Sequence, residues 1–275
     1  MNGRPLTAIF ATAVAAACAT SGPRIPEDTF AYSGSPAPAT YEVADTVVVG
    51  VNSPVGALEI ESGSTLTLGL TFTADSGGVR VTGTVEHLDA ILDVPFGGTE
   101  TADLDDVSGT LDFLRGPYGV LEVTSFPEVG APSPMFSLPT LAYLLFPSLA
   151  GGTVEPGATW VDTVTSSFEG DVGVTFTTIT NHTFVGDTLV DGRPLRHIAT
   201  AAEVTIRMEM DELGTSADQA LTGSSHGFAL WDPERRLVVY ARSDRRLSGD
   251  MTMPGMPTIP LEMTGPTVLR LREDR

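Results

Sequence analysis

The chain has 275 residues, 41% of them hydrophobic and 18% charged, with a formal net charge of −20. That balance describes a folded acidic protein. It excludes a disordered chain, which lacks apolar groups to bury, and it argues against nucleic acid or anionic lipid as an electrostatic partner. All 15 basic residues are arginines and there is a single cysteine, so P-loop, Schiff-base and Ser-x-x-Lys chemistry, disulfides and thiolate zinc sites are ruled out.

The chain opens like a secretory signal, which needs a positive head, roughly 7–15 apolar residues and small residues before the cut. Arg4 supplies the charge and residues 6–17 the apolar run, which is shorter than the roughly 20 residues that cross a bilayer as a helix. Ala15-Ala16-Ala17-Cys18 resembles the lipobox of bacterial lipoproteins, with Ala15 where that family prefers Leu, Val or Ile. The resemblance implies a signal peptide over 1–17, lipid on Cys18 and attachment to a membrane. With Ala19 rather than Asp after the cysteine, it implies the outer membrane. An ordinary secretory signal cut at Ala-x-Ala, with Cys18 a bystander, also fits these residues. Residues 18–40, rich in Pro, Ser, Ala and Thr, read as a flexible tether.

From residue 41 the dominant signal is period-two alternation, the mark of strands with one buried face. Leu66, Leu68, Leu70 and Phe72 alternate with Thr67, Gly69 and Thr71, and Val204, Ile206, Met208 and Met210 alternate with Thr205, Arg207 and Glu209. Similar runs occupy 79–85, 111–113, 121–123, 172–184, 237–240 and 268–271. Ser76-Gly77-Gly78, Gly97-Gly98, Asp191-Gly192 and Asp232-Pro233-Glu234 separate them as turns. Alternation with a polar second face predicts antiparallel sheet that is wet on one side.

Residues 131–157 break the rhythm and divide the chain into a first β half, 41–130, and a second, 158–275. Within the break, Leu141, Tyr143, Leu144, Leu145 and Phe146 form an apolar knot that predicts one short helix near 138–147. Two roles suit it: a crossover that plugs the core, or a lid over a hydrophobic cavity. The second half carries Glu155-Pro156-Gly157-Ala158-Thr159-Trp160, Thr183-Phe184-Val185-Gly186-Asp187, Asp191-Gly192-Arg193 and the hairpin Asp232-Pro233-Glu234-Arg235-Arg236-Leu237-Val238. Over residues 41–272 these features resemble a group of mostly β bacterial envelope proteins, many of them lipoproteins. The group has no established activity, so the resemblance implies no catalytic residue.

Four patterns carry possible chemistry. Gly223-Ser224-Ser225-His226-Gly227 matches the Gly-x-Ser-x-Gly elbow, which works where a strand turns sharply into a helix; the residues that follow read as strand. His226 beside Ser225 on one strand would face the other way. Met251, Met253, Met256 and Met263 are soft ligands that suit Cu(I), or plain apolar filler. Asp103, Asp105 and Asp106 begin like a calcium loop, but Val107 and Ser108 stand where a ligand and Gly belong. Arg235, Arg236, Arg242, Arg245 and Arg246 concentrate positive charge, as cross-strand partners of acids or as a docking patch. His87 with Glu86, Asp89 and Asp93 reads as surface, and Asn181-His182-Thr183 as a chance sequon.

The expectation is an all-β, mainly antiparallel protein, a large curved sheet, half-barrel or sandwich. It is expected to act without catalysis, cofactor or metal as a lipid-anchored binding or scaffolding module of the bacterial envelope. The alternative role is a carrier of a hydrophobic small molecule or lipid, with 138–146 as lid. A secreted hydrolase is the third.

Overall fold

The computed structural model describes residues 30–32, 34, 36–53, 56–95, 97–129, 138–168, 172–212, 215–252 and 254–272. The expected signal segment 1–17, Cys18 and Met253 lie outside them. The strands are β1 (Ala39–Ser53), β2 (Gly56–Asp75), β3 (Gly78–Val94), β4 (Gly98–Asp103), β5 (Val107–Ser108), β6 (Leu111–Gly116), β7 (Gly119–Ser125), β8 (Glu128–Val129), β9 (Thr159–Phe168), β10 (Val172–Val190), β11 (Arg193–Glu212), β12 (Thr215–Asp232), β13 (Leu237–Thr252) and β14 (Ile259–Leu271). A single helix, α1 (Leu138–Leu145), and a 3-10 turn at Leu104–Asp106 complete the elements. No helix among the described residues is long and apolar enough to cross a membrane.

Twelve strands form one antiparallel half-barrel in the order β7-β6-β3-β2-β1-β14-β13-β12-β11-β10-β9, with β4 added on β3; β5 and β8 make a separate ribbon. The two β halves are therefore one sheet. Their seam is β1, where Tyr41 lies opposite Leu68 of β2 on one side and Leu271 of β14 on the other. Local chemistry sets the turns. Asp191 and Gly192 both adopt positive φ, 51° and 78°, the two-residue geometry that matches the twist of a hairpin. At the β12–β13 turn the Asp232 carboxylate accepts from the amides of Glu234 and Arg235 at 2.8 and 3.0 Å.

The alternation sorts the two faces as expected. The convex face exposes Glu61, Glu203, Arg207, Arg246, Asp250 and Glu262, while the intervening residues turn to the concave side. Glycine permits close strand approach at two points of β12. A Cβ on Gly227 would sit 2.0 Å from the Arg242 carbonyl oxygen, and one on Gly223 2.2 Å from that of Arg246, so β12 and β13 approach there as no other residue allows.

An open sheet must cover its concave apolar face. Two segments run between its free edges, β7 and β9, and do so at one end. The Phe30 amide donates to the Gly152 carbonyl at 2.9 Å, the Tyr32 amide to the Pro117 carbonyl at 2.7 Å, and the Leu149 amide to the Tyr118 carbonyl at 2.9 Å. Trp160 Nε1, on the opposite edge, donates to the Ser148 carbonyl at 2.9 Å. The strap closes on an aromatic cluster: the Phe30 ring lies 5.0 Å from Phe184 and 5.5 Å from Trp231, and the Tyr32 ring 5.5 Å from Phe146. Buried Arg115 locks it by donating to the Gly34 carbonyl at 2.8 Å and lying over Tyr32 and Phe146, and burial lowers its pKa to about 10.

Part of the expected tether is packed instead. Phe30 and Tyr32 belong to the main core, Ala31 is buried beside them and β1 begins at Ala39, so the described fold includes residues ahead of 41. Pro, Ser and Gly around these aromatics disguise them as linker. Replacing Phe30 by Ala should lower unfolding stability by about 3–5 kcal/mol, the usual cost of deleting a fully buried ring; chemical denaturation followed by tryptophan fluorescence checks it, and a loss below about 1 kcal/mol would return the segment to a tether.

Candidate binding cavity

The concave face is layered along the strands. One buried apolar cluster contains Tyr41, Val43, Ile198, Trp231, Val238 and Leu269. The second contains Val47, Val49, Ile206, Leu221, Leu247 and Met263. Between them, each strand puts a polar or small residue in the inward phase. The register aligns Ser64, Asp45, Thr267, Ser243, Gly227, Thr200 and His182 in one row, and Arg245, Ser225, Ala202, Thr180 and Asp162 in the next.

A cavity of about 260 Å³ follows this belt on the β9–β14 side. Its roof is the α1 strap, which contributes Thr140, Tyr143, Leu144, Pro147 and Ser148. Its apolar walls are Val164, Phe176, Val204, Ile206 and Leu247, and its polar floor includes Ser225, Ser243, Arg245 and Thr267. Of the five residues expected to form a plug or lid, the structure divides the roles. Leu141, Leu145 and Phe146 are buried in the main core and plug it, whereas Tyr143 and Leu144 face the cavity. A helix presenting side chains to both sides of the strap accounts for its lack of a polar face.

The belt contains one satisfied ionic group. Arg245 donates to Asp45 and, at 2.7 Å, to Thr267 Oγ1; Thr267 in turn donates to Asp45. Burial raises the Asp45 pKa, opposed by Arg245 and Thr267. Ser225 and Ser243 share a hydrogen bond at 2.5 Å. His182 differs from its neighbours. It is 3% exposed, its ring stacks on Trp160 at 5.3 Å and 10°, and neither Nδ1 nor Nε2 has a hydrogen-bond partner among the described residues. Burial holds its pKa below the ordinary 6.5, opposed by Asp162, so the ring is neutral at pH 7.

The other sequence candidates resolve into structure. Ser225 lies in the middle of β12, paired with Ala202 and Arg245, and His226 is exposed on the convex side; no strand-to-helix elbow is present. The two glycines of that motif serve the close approach of β12 to β13. Asp103, Asp105 and Asp106 cap the 3-10 turn: Asp103 Oδ1 accepts from the Asp105 amide and Asp106 Oδ2 from the Asp103 amide, both at 2.9 Å. Met263 is buried in the second cluster, Met251 packs against it, and Met256 is exposed in a turn. No cluster of three His, Cys, Asp or Glu side chains able to hold a metal occurs among the described residues. The arginine group divides too: Arg245 turns inward, Arg246 outward, Arg242 holds exposed Asp244 at 2.8 Å and Arg235 lies 3.8 Å from Asp232. His87, Glu86, Asp89, Asp93 and Asn181 are exposed.

Asp45 and His182 escaped the sequence reading. The signal for Asp45 was present, because it is the charged exception in the row Tyr41, Val43, Val47, Val49.

No family model matches the sequence, and no curated protein does. Among solved structures, DynF from the dynemicin biosynthesis pathway of Micromonospora chersina is similar at 10% identity, covering 97% of this chain and 92% of its own, with a TM-score of 0.27. The β domain of the Bordetella autotransporter BrkA is similar at 11% identity, covering 84% and 99%, with a TM-score of 0.26.

Asp45→Leu or Arg245→Met alone should each cost about 3–5 kcal/mol by stranding the buried partner. The Asp45→Leu, Arg245→Met pair should cost less than the two added. A denaturation cycle measures the coupling, and simple additivity would show that the two charges stand alone.

Proposed function

We propose that the chain is a non-catalytic binding module that holds a small hydrophobic or amphiphilic molecule on the concave face of its half-barrel, beneath α1. The cavity of about 260 Å³ between two apolar clusters carries this reading. A pure scaffold gains nothing from such a space, because interiors pack closely and every void forfeits contacts. The volume lies just under the roughly 300–1,000 Å³ usual for small-molecule sites, which suits a short chain or a partly enclosed one. A mid-strand Ser225 bonded to Ser243 favours binding over hydrolysis.

The same reading places the module outside the cytoplasm, attached through lipid on Cys18 to the bacterial outer membrane. Ala15-Ala16-Ala17-Cys18 and the short apolar run before it support this.

Native mass spectrometry of gently extracted protein should show a bound species of small-molecule mass, and Leu144→Trp, which fills the cavity from its roof, should lose it. Protein that is empty in both forms and binds no apolar probe would overturn the reading. The anchor is tested separately by metabolic labelling with a fatty-acid analogue: wild type should label and Cys18→Ser should not, and equal labelling of the two removes the anchor.

A further inference from the structure

We infer that the cavity takes an amphiphile with a cationic amine head, and that the carboxylate of Asp162 receives it. The inference rests on the binding reading above and adds the ligand's chemical class. Three charged residues line the cavity: Asp162, Arg242 and Arg245. Two of them are already matched. Arg245 is engaged by Asp45 and Thr267. Arg242 donates to both carboxylate oxygens of Asp244, each at 2.8 Å. Asp162 makes no ion pair and no side-chain hydrogen bond among the described residues.

The elements around Asp162 explain this. Residues 138–157, β9 and β10 contain no arginine, and their one histidine, His182, is held neutral by burial. Arg245 lies in the same row, which runs Asp162, Thr180, Ala202, Ser225, Arg245, but four strands away. At about 4.8 Å per strand that is roughly 19 Å along the sheet, beyond the reach of an arginine side chain. A cation that matches Asp162 therefore comes from outside the chain. A primary ammonium suits the place, since it carries three donors. Asp162 accepts one as a charge-assisted bond, and Thr180, directly opposite on β10, offers a hydroxyl oxygen beside it. The apolar walls at Leu144, Val164, Phe176 and Val204 receive the tail. The net charge of −20 draws cations to the protein and turns anions away. An inward-pointing charge on an edge strand also discourages pairing with another sheet, a role that needs no ligand; the two roles differ in what Asp162 variants do.

The test is calorimetric titration of the full chain at pH 7.5 with octylamine, octan-1-ol and octanoate. The amine is protonated there, as a lysine side chain is. It should bind about tenfold more tightly than octan-1-ol, and octanoate should bind most weakly, since a charge-assisted pair in a half-enclosed site is worth roughly a factor of ten. Leu144→Trp should weaken all three. Asp162→Asn should erase the advantage of the amine and leave octan-1-ol binding intact, and Asp162→Glu should keep most of it. Glu203→Gln, which removes an equal charge from the convex face, should leave it unchanged. Thr180→Lys supplies a cation opposite Asp162 while keeping the edge charge, and should also erase it. An amine advantage that survives Asp162→Asn, or octanoate binding as tightly as octylamine, overturns the inference while leaving the binding reading standing. If Asp162→Asn self-associates on size exclusion and Thr180→Lys retains the advantage, Asp162 only guards the edge and the inference is equally overturned. Failure of all three probes overturns both.

Discussion

A half-barrel has a concave apolar face that hydrogen bonding cannot close. β7 and β9 end the sheet with free edges, and whatever spans them must satisfy backbone groups and bury side chains at once. The strap meets both demands at one end of the molecule. Its backbone bonds run from Phe30 to Gly152, from Tyr32 to Pro117 and from Leu149 to Tyr118, and its rings fill the space above Trp231 and Phe184. The other end is filled by the sheet's own Val47, Val49, Leu221, Leu247 and Met263. Neither device reaches the middle, so the cavity is the geometric remainder of a sheet closed from its two ends.

The composition of that middle layer is energetically unusual. Polar groups in a low-dielectric interior stabilise only when fully paired, and a half-satisfied network is worse than an apolar one. Asp45, Arg245 and Thr267 satisfy one another, and Ser225 satisfies Ser243, so these groups specify register at little net cost. His182 stands outside both networks, although Thr200 lies opposite it across the sheet.

Much of the fold was legible in the chain because a sheet with one wet face writes its phase into every second residue. Leu66 to Phe72 and Val204 to Met208 announced strands, Asp191-Gly192 announced a hairpin, and the apolar knot at Leu141 and Phe146 announced the helix. The global arrangement was not legible, since pairing β1 with β14 depends on closure over more than two hundred residues and no local pattern encodes it. The strap was hidden for a different reason. Phe30 and Tyr32 are two rings among Pro, Ser and Gly, and their burial comes from partners as distant as Trp231. The cavity was only half visible: Tyr143 and Leu144 could be named from the knot, but the strand residues that line it come from six strands in register, β9 to β14, and the Arg245 that crosses it looked like one member of a surface group.

The strap and the cavity are built from the same rings. Phe30 packs at 5.9 Å on Trp160, Trp160 stacks on His182, and His182 borders the space that α1 roofs with Tyr143 and Leu144. A molecule that filled the space would touch the strap as it is closed here, and by mass action would stabilise that form with the logarithm of one plus its concentration over its dissociation constant. Filling of the space and closure of the strap would then share one free energy. Because the N-terminal segment that enters the core at Phe30 is part of that closure, the covering of the cavity and the anchoring of the chain's leading end to its fold are a single structural event.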